Sequence, residues 1–404
     1  MSEKRGYGPA SVIGVLDGVS SSAITVRQSR CAMVRNRNVH CMKCADACTS
    51  GCIHLVEGVL HVDASKCVGC GTCATVCPTC ALEAHNPSDG QLMRQATAVQ
   101  RDDMVVLMCH PCLEALSDAV DAESIAEVVC LGRVDESLLV GLAQRGAKTI
   151  RLICGDCAKC QQNRGRSCAQ MVAESASELL QLWQLQVDIR VDGTVPAGVL
   201  RDGCDEDHAR VKLQQHFAKG AGNSPINPER HAEDGSHVDS AAQTVSDDEH
   251  EQRRQVLKVM RDGTLPHFVP ERRERLLEAM ASFGKPLCDS MSNRLWGCVA
   301  IDPGKCVSCR MCATFCPTGA IRKFDNPDGS FGVQHYPGDC VKCGSCREIC
   351  PGGAITINDA VRVSYLFDGA VHSYAMRPRE IELNSPHQIL NTMKRKIPGN
   401  VYER

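Results

Sequence analysis

The chain has 404 residues, a formal net charge of −3, 28 cysteines and only 3% aromatic residues. That length calls for two or three domains of about 100–200 residues each, and the near-neutral charge gives no sign of the basic surface that nucleic-acid binding needs. With no apolar signal stretch near Met1 and no run long enough to span a bilayer, the cysteines do not belong to a small secreted disulfide scaffold; the expectation is a cytoplasmic protein whose thiolates hold metal.

Residues 1–30 contain Gly, Ser and one short β-prone run, Ala23 to Val26. Cys41, Cys44, Cys48 and Cys52 follow at C-x2-C-x3-C-x3-C, with Ile53 next. Cys67, Cys70, Cys73 and Cys77 stand at C-x2-C-x2-C-x3-C, with Pro78 next. In this second spacing, tight turns aim three sulfurs at one [4Fe–4S] cube and leave the fourth for a neighbouring cube. Crossing the fourth ligands groups Cys41, Cys44 and Cys48 with Cys77, and Cys67, Cys70 and Cys73 with Cys52; the added residue in the first copy is read as a bulge. Ile53–Val56 and Val59–Val62 flank Glu57-Gly58 and predict a hairpin. Cys31 and Cys80 fall outside both groups and are read as spare buried thiols. Cys80 also completes a C-x3-C-x2-C string with Cys73 and Cys77, the spacing of radical S-adenosylmethionine enzymes, but those two cysteines are already used and no large barrel fits here.

From residue 102 apolar runs alternate with helical periodicity. Strands are predicted at Met104–Met108, Ile125–Val129, Thr149–Ile153 and around Val187–Val191, with helices at Cys112–Val120, Asp135–Gln144 and Cys168–Gln184. That alternation implies a small parallel α/β sheet. Cys109, Cys130 and Cys154 each follow a strand run, so they share the carboxyl edge where open sheets bind ligands. Cys112 and Cys157 lie a turn further on, giving a candidate five-sulfur site.

Residues 196–254 are polar and acidic, ending in Ser246-Asp247-Asp248-Glu249-His250-Glu251, and predict a flexible linker; Cys204 within it is not taken as a ligand. Pro270 opens a helix over 271–282 with Leu276, Leu277 and Met280 on one face, expected to dock on the ferredoxin domain or on a partner, and Arg272, Arg273 and Arg275 read first as a solvated face and second as a docking patch. Cys288 and Cys298 are unassigned. Cys306, Cys309, Cys312 and Cys316, then Cys340, Cys343, Cys346 and Cys350, repeat C-x2-C-x2-C-x3-C, each followed by proline. The crossed grouping is Cys306, Cys309, Cys312 with Cys350, and Cys340, Cys343, Cys346 with Cys316. Zinc knuckles would need C-x2-C pairs instead. Asn326-Pro327-Asp328-Gly329 marks a turn between the copies, and Val361 to Phe367, with Asp368-Gly369, predicts a further hairpin.

The doubled cysteine pattern resembles the bacterial two-cluster ferredoxin domain, at residues 1–100 and again within 255–404. The fold expected is therefore α+β ferredoxin-like dicluster domains at both ends, with a small α/β parallel-sheet domain between them at 101–195. A second resemblance rests on Cys130-Leu131-Gly132-Arg133-Val134-Asp135, the helix ending at Gly146-Ala147, and Gly155-Asp156-Cys157. These are similar to the iron–sulfur delta subunit of methyl-viologen-reducing hydrogenase, which implies a [2Fe–2S] cluster in the middle domain and electron passage between a hydrogenase and a heterodisulfide reductase. The C-x2-C-x2-C of Cys154, Cys157 and Cys160, completed by Cys168 or Cys109, leaves a fifth [4Fe–4S] cluster open, and zinc after that.

Four [4Fe–4S] clusters and one further site, without a G-x-G-x-x-G or a P-loop, describe a relay. The expected function is an electron-transfer subunit of a multisubunit cytoplasmic oxidoreductase, hetero-oligomeric with flavoprotein, hydrogenase, formate dehydrogenase or heterodisulfide-reductase-like subunits. The alternatives are the electron-transfer subunit of a molybdenum respiratory reductase, whose sixteen ligands lie in one compact domain, and an iron–sulfur redox sensor.

Overall fold

A computed structural model describes residues 23–85, 87–220 and 260–377. The start of the chain, most of the acidic linker with its Ser246–Glu251 end, and the last 27 residues lie outside the described residues.

In the N-terminal unit, β1 (Ile24–Val26) is followed by α1 (Ala32–Arg35), α2 (Lys43–Ala47), β2 (Ile53–Val56), β3 (Val59–Val62), α3 (Thr72–Val76) and β4 (Leu82–Ala84). β1 pairs antiparallel with β4, and β2 with β3. The β2–β3 turn has positive φ at both Glu57 (50°) and Gly58 (78°), the mirror-image turn whose twist suits a two-residue hairpin.

The middle unit begins earlier than residue 101. Ser88 caps α4 (Asp89–Ala98) through a reciprocal bond with Gln91, and Leu92 and Ala96 of this helix enter the middle core. Next come β5 (Met104–Cys109), α5 (His110–Ala115), β6 (Ala126–Val128), α6 (Glu136–Gln144), β7 (Thr149–Ile153), α7 (Gly165–Gln181) and β8 (Asp188–Asp192). The strands form one parallel sheet ordered β6-β5-β7-β8. The helix predicted over 112–120 starts sooner, because Pro111 suits its first turn, and stops at Ala115. The linker is also shorter than predicted. Asp205 caps α8 (Glu206–Ala218), whose Ala209, Leu213 and Phe217 are buried in the middle core.

The C-terminal unit contains α9 (Glu271–Ser282), β9 (Ser290–Ser292), β10 (Cys298–Ile301), α10 (Met311–Thr314), β11 (Ile321–Asp325), β12 (Phe331–His335), α11 (Ser345–Glu348), β13 (Ile355–Asn358), β14 (Ala360–Arg362) and β15 (His372–Met376). β10 pairs with β13, as β1 does with β4. The predicted terminal hairpin is not one: β14 pairs with β9, and β15 adds a third strand to β11–β12. A short 3₁₀ turn at Ser364–Leu366 separates the two, and Val361, Val363 and Leu366 turn into the middle core.

The arginines of α9 are not a solvated face. Leu276, Ala279 and Met280 pack on the middle core, which aims the opposite side at the N-terminal unit. Arg272 donates to the carbonyls of Ala74 (2.9 Å), Thr75 (3.3 Å) and Cys77 (2.7 Å). Arg275 and Arg133 share Asp89, and buried Arg273 lies 4.0 Å from the centre of the Trp296 ring. Arg35 reaches the other way, donating to Pro266 O (2.6 Å) and Cys316 O (3.2 Å). Ala32, Val39 and Ile349 complete a small core between the N-terminal and C-terminal units. The cysteine pairs that lie more than two hundred residues apart in sequence are therefore adjacent in space.

Candidate metal centres

None of the 28 cysteines is in a disulfide. Three of the four copies share one local geometry. Positive φ occurs two and four residues after the first cysteine, at Gly69 and Gly71, Ser308 and Arg310, and Lys342 and Gly344. Such left-handed turns gather backbone N–H groups into an anion-binding concavity. The non-glycine members hold a conformation that costs about 1–2 kcal/mol each, strain of the kind found at functional sites.

All four copies then end alike. A positive-φ residue stands three positions after one cysteine, and a strand begins five positions after it: Gly51 and Ile53 after Cys48, Cys80 and Leu82 after Cys77, Gly319 and Ile321 after Cys316, Gly353 and Ile355 after Cys350. The amide four residues on donates to that cysteine's sulfur, from Ala81 to Cys77 and from Ala354 to Cys350 at 3.3 Å each, and from Cys52 to Cys48. Cys48 is thus the last cysteine of its copy, and Cys52 occupies the place of Ala81, Ala320 and Ala354.

This shifts the first copy. Counting back from Cys48, Cys44 and Cys41 fall in register, and Asn38 stands where the first cysteine should be. Cys48, Cys52, Cys67, Cys70 and Cys73 line one cavity, with Cys48 and Cys52 Sγ 3.4 Å apart. Cys41, Cys44 and Cys77 are neighbours elsewhere, and buried Cys31 lies among them. The structure thus brings Cys48 together with Cys67, Cys70 and Cys73 rather than with Cys41, Cys44 and Cys77, beside which buried Cys31 lies instead. The constant five-residue step to the following Ile or Leu was the available signal.

Burial dominates the sulfur electrostatics. It pushes the thiols of Cys44, Cys312 and Cys340 up to about 12, and those of Cys31 and Cys343 to about 11. Close thiol pairs split instead: contact with Cys52 holds Cys48 down at about 5 while Cys52 rises, and contact with Cys154 holds Cys157 at about 7 while Cys154 rises. Metal ligation requires thiolates, so crowded, desolvated sulfurs fit a cationic core far better than they fit one another.

In the middle unit, Cys109, Cys130, Cys154 and Cys157 line a cavity at the carboxyl end of the parallel sheet, and Cys160 joins them. Cys112 sits behind the wall, fully buried, its sulfur 3.4 Å from that of Cys109. Cys168 points away, its Sγ 3.7 Å from Gly132 O. Two glycines allow the close approach. A Cβ at Gly165 would lie 2.2 Å from Cys130 Sγ, and one at Gly155 would lie 1.9 Å from the Phe217 ring that covers the site. Gly132 N donates to Cys130 Sγ at 3.5 Å.

The sites adjoin one another. Gly132 is so close to the N-terminal unit that a Cβ on it would fall 2.1 Å from Thr72 Oγ1, and Cys70 is the first outside sulfur acting on Cys130. Cys73 feels Cys44 across the N-terminal unit, Cys343 feels Cys41 across the interface, and Cys346 feels Cys312 within the C-terminal unit.

Residues 299–354 match the 4Fe-4S dicluster domain family, and residues 60–83 match the 4Fe-4S binding domain family. The chain is similar to the B component of the ion-translocating oxidoreductase complex of Methanosarcina acetivorans, 38% identical over 45 residues, which is 11% of this chain and 17% of that protein. It is also similar to electron transport protein HydN of Escherichia coli K12, 38% identical over 72 residues, or 18% of this chain and 35% of HydN. The matches therefore span about a third or less of these relatives. No solved structure matches the chain. No helix among the described residues is long and apolar enough to cross a membrane.

Proposed function

We propose that this chain, which carries ferredoxin-type 4Fe–4S binding domains in its N-terminal and C-terminal parts, is an electron-relay subunit of a multisubunit oxidoreductase, with five sulfur-lined sites in a row. The observation that supports this is that sulfurs of successive sites lie within electrostatic reach of one another, from Cys130 to Cys70, Cys73 to Cys44, Cys41 to Cys343 and Cys346 to Cys312. In this reading the ligand sets are Cys67, Cys70, Cys73 with Cys48; Cys41, Cys44, Cys77 with Cys31; Cys340, Cys343, Cys346 with Cys316; and Cys306, Cys309, Cys312 with Cys350. The fifth site takes four of Cys109, Cys130, Cys154, Cys157 and Cys160 around a [2Fe–2S] or [4Fe–4S] cluster. Clusters of these kinds exchange single electrons, at potentials set by hydrogen bonds to sulfur, burial and nearby charge.

The chain supplies those controls. Amides of Ala81, Ala354 and Gly132 point at Cys77, Cys350 and Cys130. Burial opposes the charge on Arg272, but Cys80, Asp135 and Asp89 outweigh it, so a fixed cation stands beside the N-terminal sulfurs. The two ends of the row are the places for partners, for which a hydrogenase, formate dehydrogenase, flavoprotein or heterodisulfide-reductase-like subunit is the chemistry expected. The same contiguity favours a second reading, the four-cluster electron-transfer subunit of a molybdenum enzyme. Sequence separation no longer counts against it.

The test is iron, sulfide and zinc content with Mössbauer and stepwise-reduction EPR on anaerobically purified protein. About eighteen irons would fit four cubes and a [2Fe–2S] cluster, and about twenty would fit five cubes. Full reduction by a one-electron donor, with spin coupling between neighbouring sites, is expected. One labile cluster on an otherwise metal-free chain would support the redox sensor and reject the relay.

A further inference from the structure

One group of donors in the C-terminal unit belongs to none of the cysteine copies. Cys298 opens β10, His335 ends β12, and His372 opens β15 directly opposite His335. Their ligating atoms all lie within 4.8 Å of one another, with Cys298 Sγ 3.5 Å from His372 Nδ1. The two imidazoles are 6.1 Å apart at 61°, so they converge rather than stack. His335 is 0% exposed and neither of its ring nitrogens has a hydrogen-bond partner. Buried polar groups are almost always satisfied, and one that is not calls for a ligand or an ion.

We propose that Cys298, His335 and His372 bind a zinc ion. A tetrahedral zinc with ordinary Zn–S and Zn–N bonds spaces its ligand atoms about 3.3–3.6 Å apart, which the Cys298–His372 pair already meets. A thiolate with two imidazoles suits this borderline-soft cation and not magnesium or calcium. Three protein ligands leave the fourth position to solvent. The ion joins the β10–β13 sheet to the β11–β12–β15 sheet. Its consequence lies next door, where Ser373 to Arg377 form one wall of a cleft whose other wall is Pro303 to Ser308, around Cys306. The zinc therefore holds β15 in place beside the loop of Cys306.

The experiment uses the full chain, purified anaerobically and equilibrated with one equivalent of zinc. Metal analysis is expected to give one zinc per chain in addition to iron, lost in Cys298→Ala and in His372→Gln while iron content and cluster EPR stay at wild-type values. Zinc K-edge X-ray absorption of the unmutated protein, which does not depend on how the variants fold, is expected to show one sulfur and two imidazole nitrogens. Absence of zinc, zinc retained by both variants, a sulfur-only shell, or another metal at these residues each overturns the proposal.

Discussion

Replacing Cys31 by alanine is expected to remove one cluster, and replacing Cys52 none, although the cysteine spacing points the other way. Cys48, not Cys52, precedes its strand by the five residues seen in the other three copies, and its sulfur receives the amide of residue 52. Alanine at 52 keeps that amide. At the other N-terminal site only Cys41, Cys44 and Cys77 are in register, because Asn38 replaces a cysteine, and the fourth sulfur close by is that of Cys31. Cys31 is 8% exposed and burial raises its thiol to about 11, so a thiolate there needs a cation beside it. In the proposed reading of four cubes, losing one removes about four irons of about sixteen. Anaerobic iron-to-protein ratios and Mössbauer areas would resolve a loss of a quarter. The companion Cys48→Ala should lose less than Cys31→Ala, because Cys52 lies 3.4 Å away and can substitute. Loss of about four irons in Cys52→Ala with a full complement in Cys31→Ala would refute the register argument.

Arg272→Met should destabilise the protein by about 3–4 kcal/mol, since it strands three carbonyls and leaves nearly buried Asp135 without its cation 3.8 Å away; an unchanged anaerobic denaturation midpoint would contradict that. Gly155→Ala should expel Phe217, costing about 2–3 kcal/mol of burial, and hydrogen exchange across Glu206–Ala218 should rise; protection equal to wild type would show that the ring does not cover the site. Cys130→Ala should erase one spectroscopic species and spare the four cubes, and identical spectra and metal content would exclude Cys130 as a ligand.

Much of the molecule was legible in its sequence for local reasons. The C-x2-C-x2-C-x3-C spacing dictates a turn geometry within ten residues, and Ser308, Arg310 and Lys342 accept left-handed backbone to complete it. Alternating apolar runs specified the parallel sheet, and a sheet's carboxyl edge gathers whatever residues follow its strands, so Cys109, Cys130 and Cys154 converge as their positions implied.

What the tertiary structure decided was non-local. Which sulfurs face one another depends on the chain returning from afar, as Cys31 lies beside Cys41 and Cys77, and no spacing rule within one motif contains that. The arginines of α9 show periodicity compatible with a solvated face; only the docking of Leu276 and Met280 on the middle core turns Arg272 and Arg275 toward the N-terminal unit. Cys298, His335 and His372 come from three separate strands, and β15 reaches β12 only after Val361 and Leu366 have anchored the chain elsewhere. Local spacing thus determines how each set of thiolates is presented, whereas long-range burial of apolar surface determines which sets face one another, and with that the order of the sites.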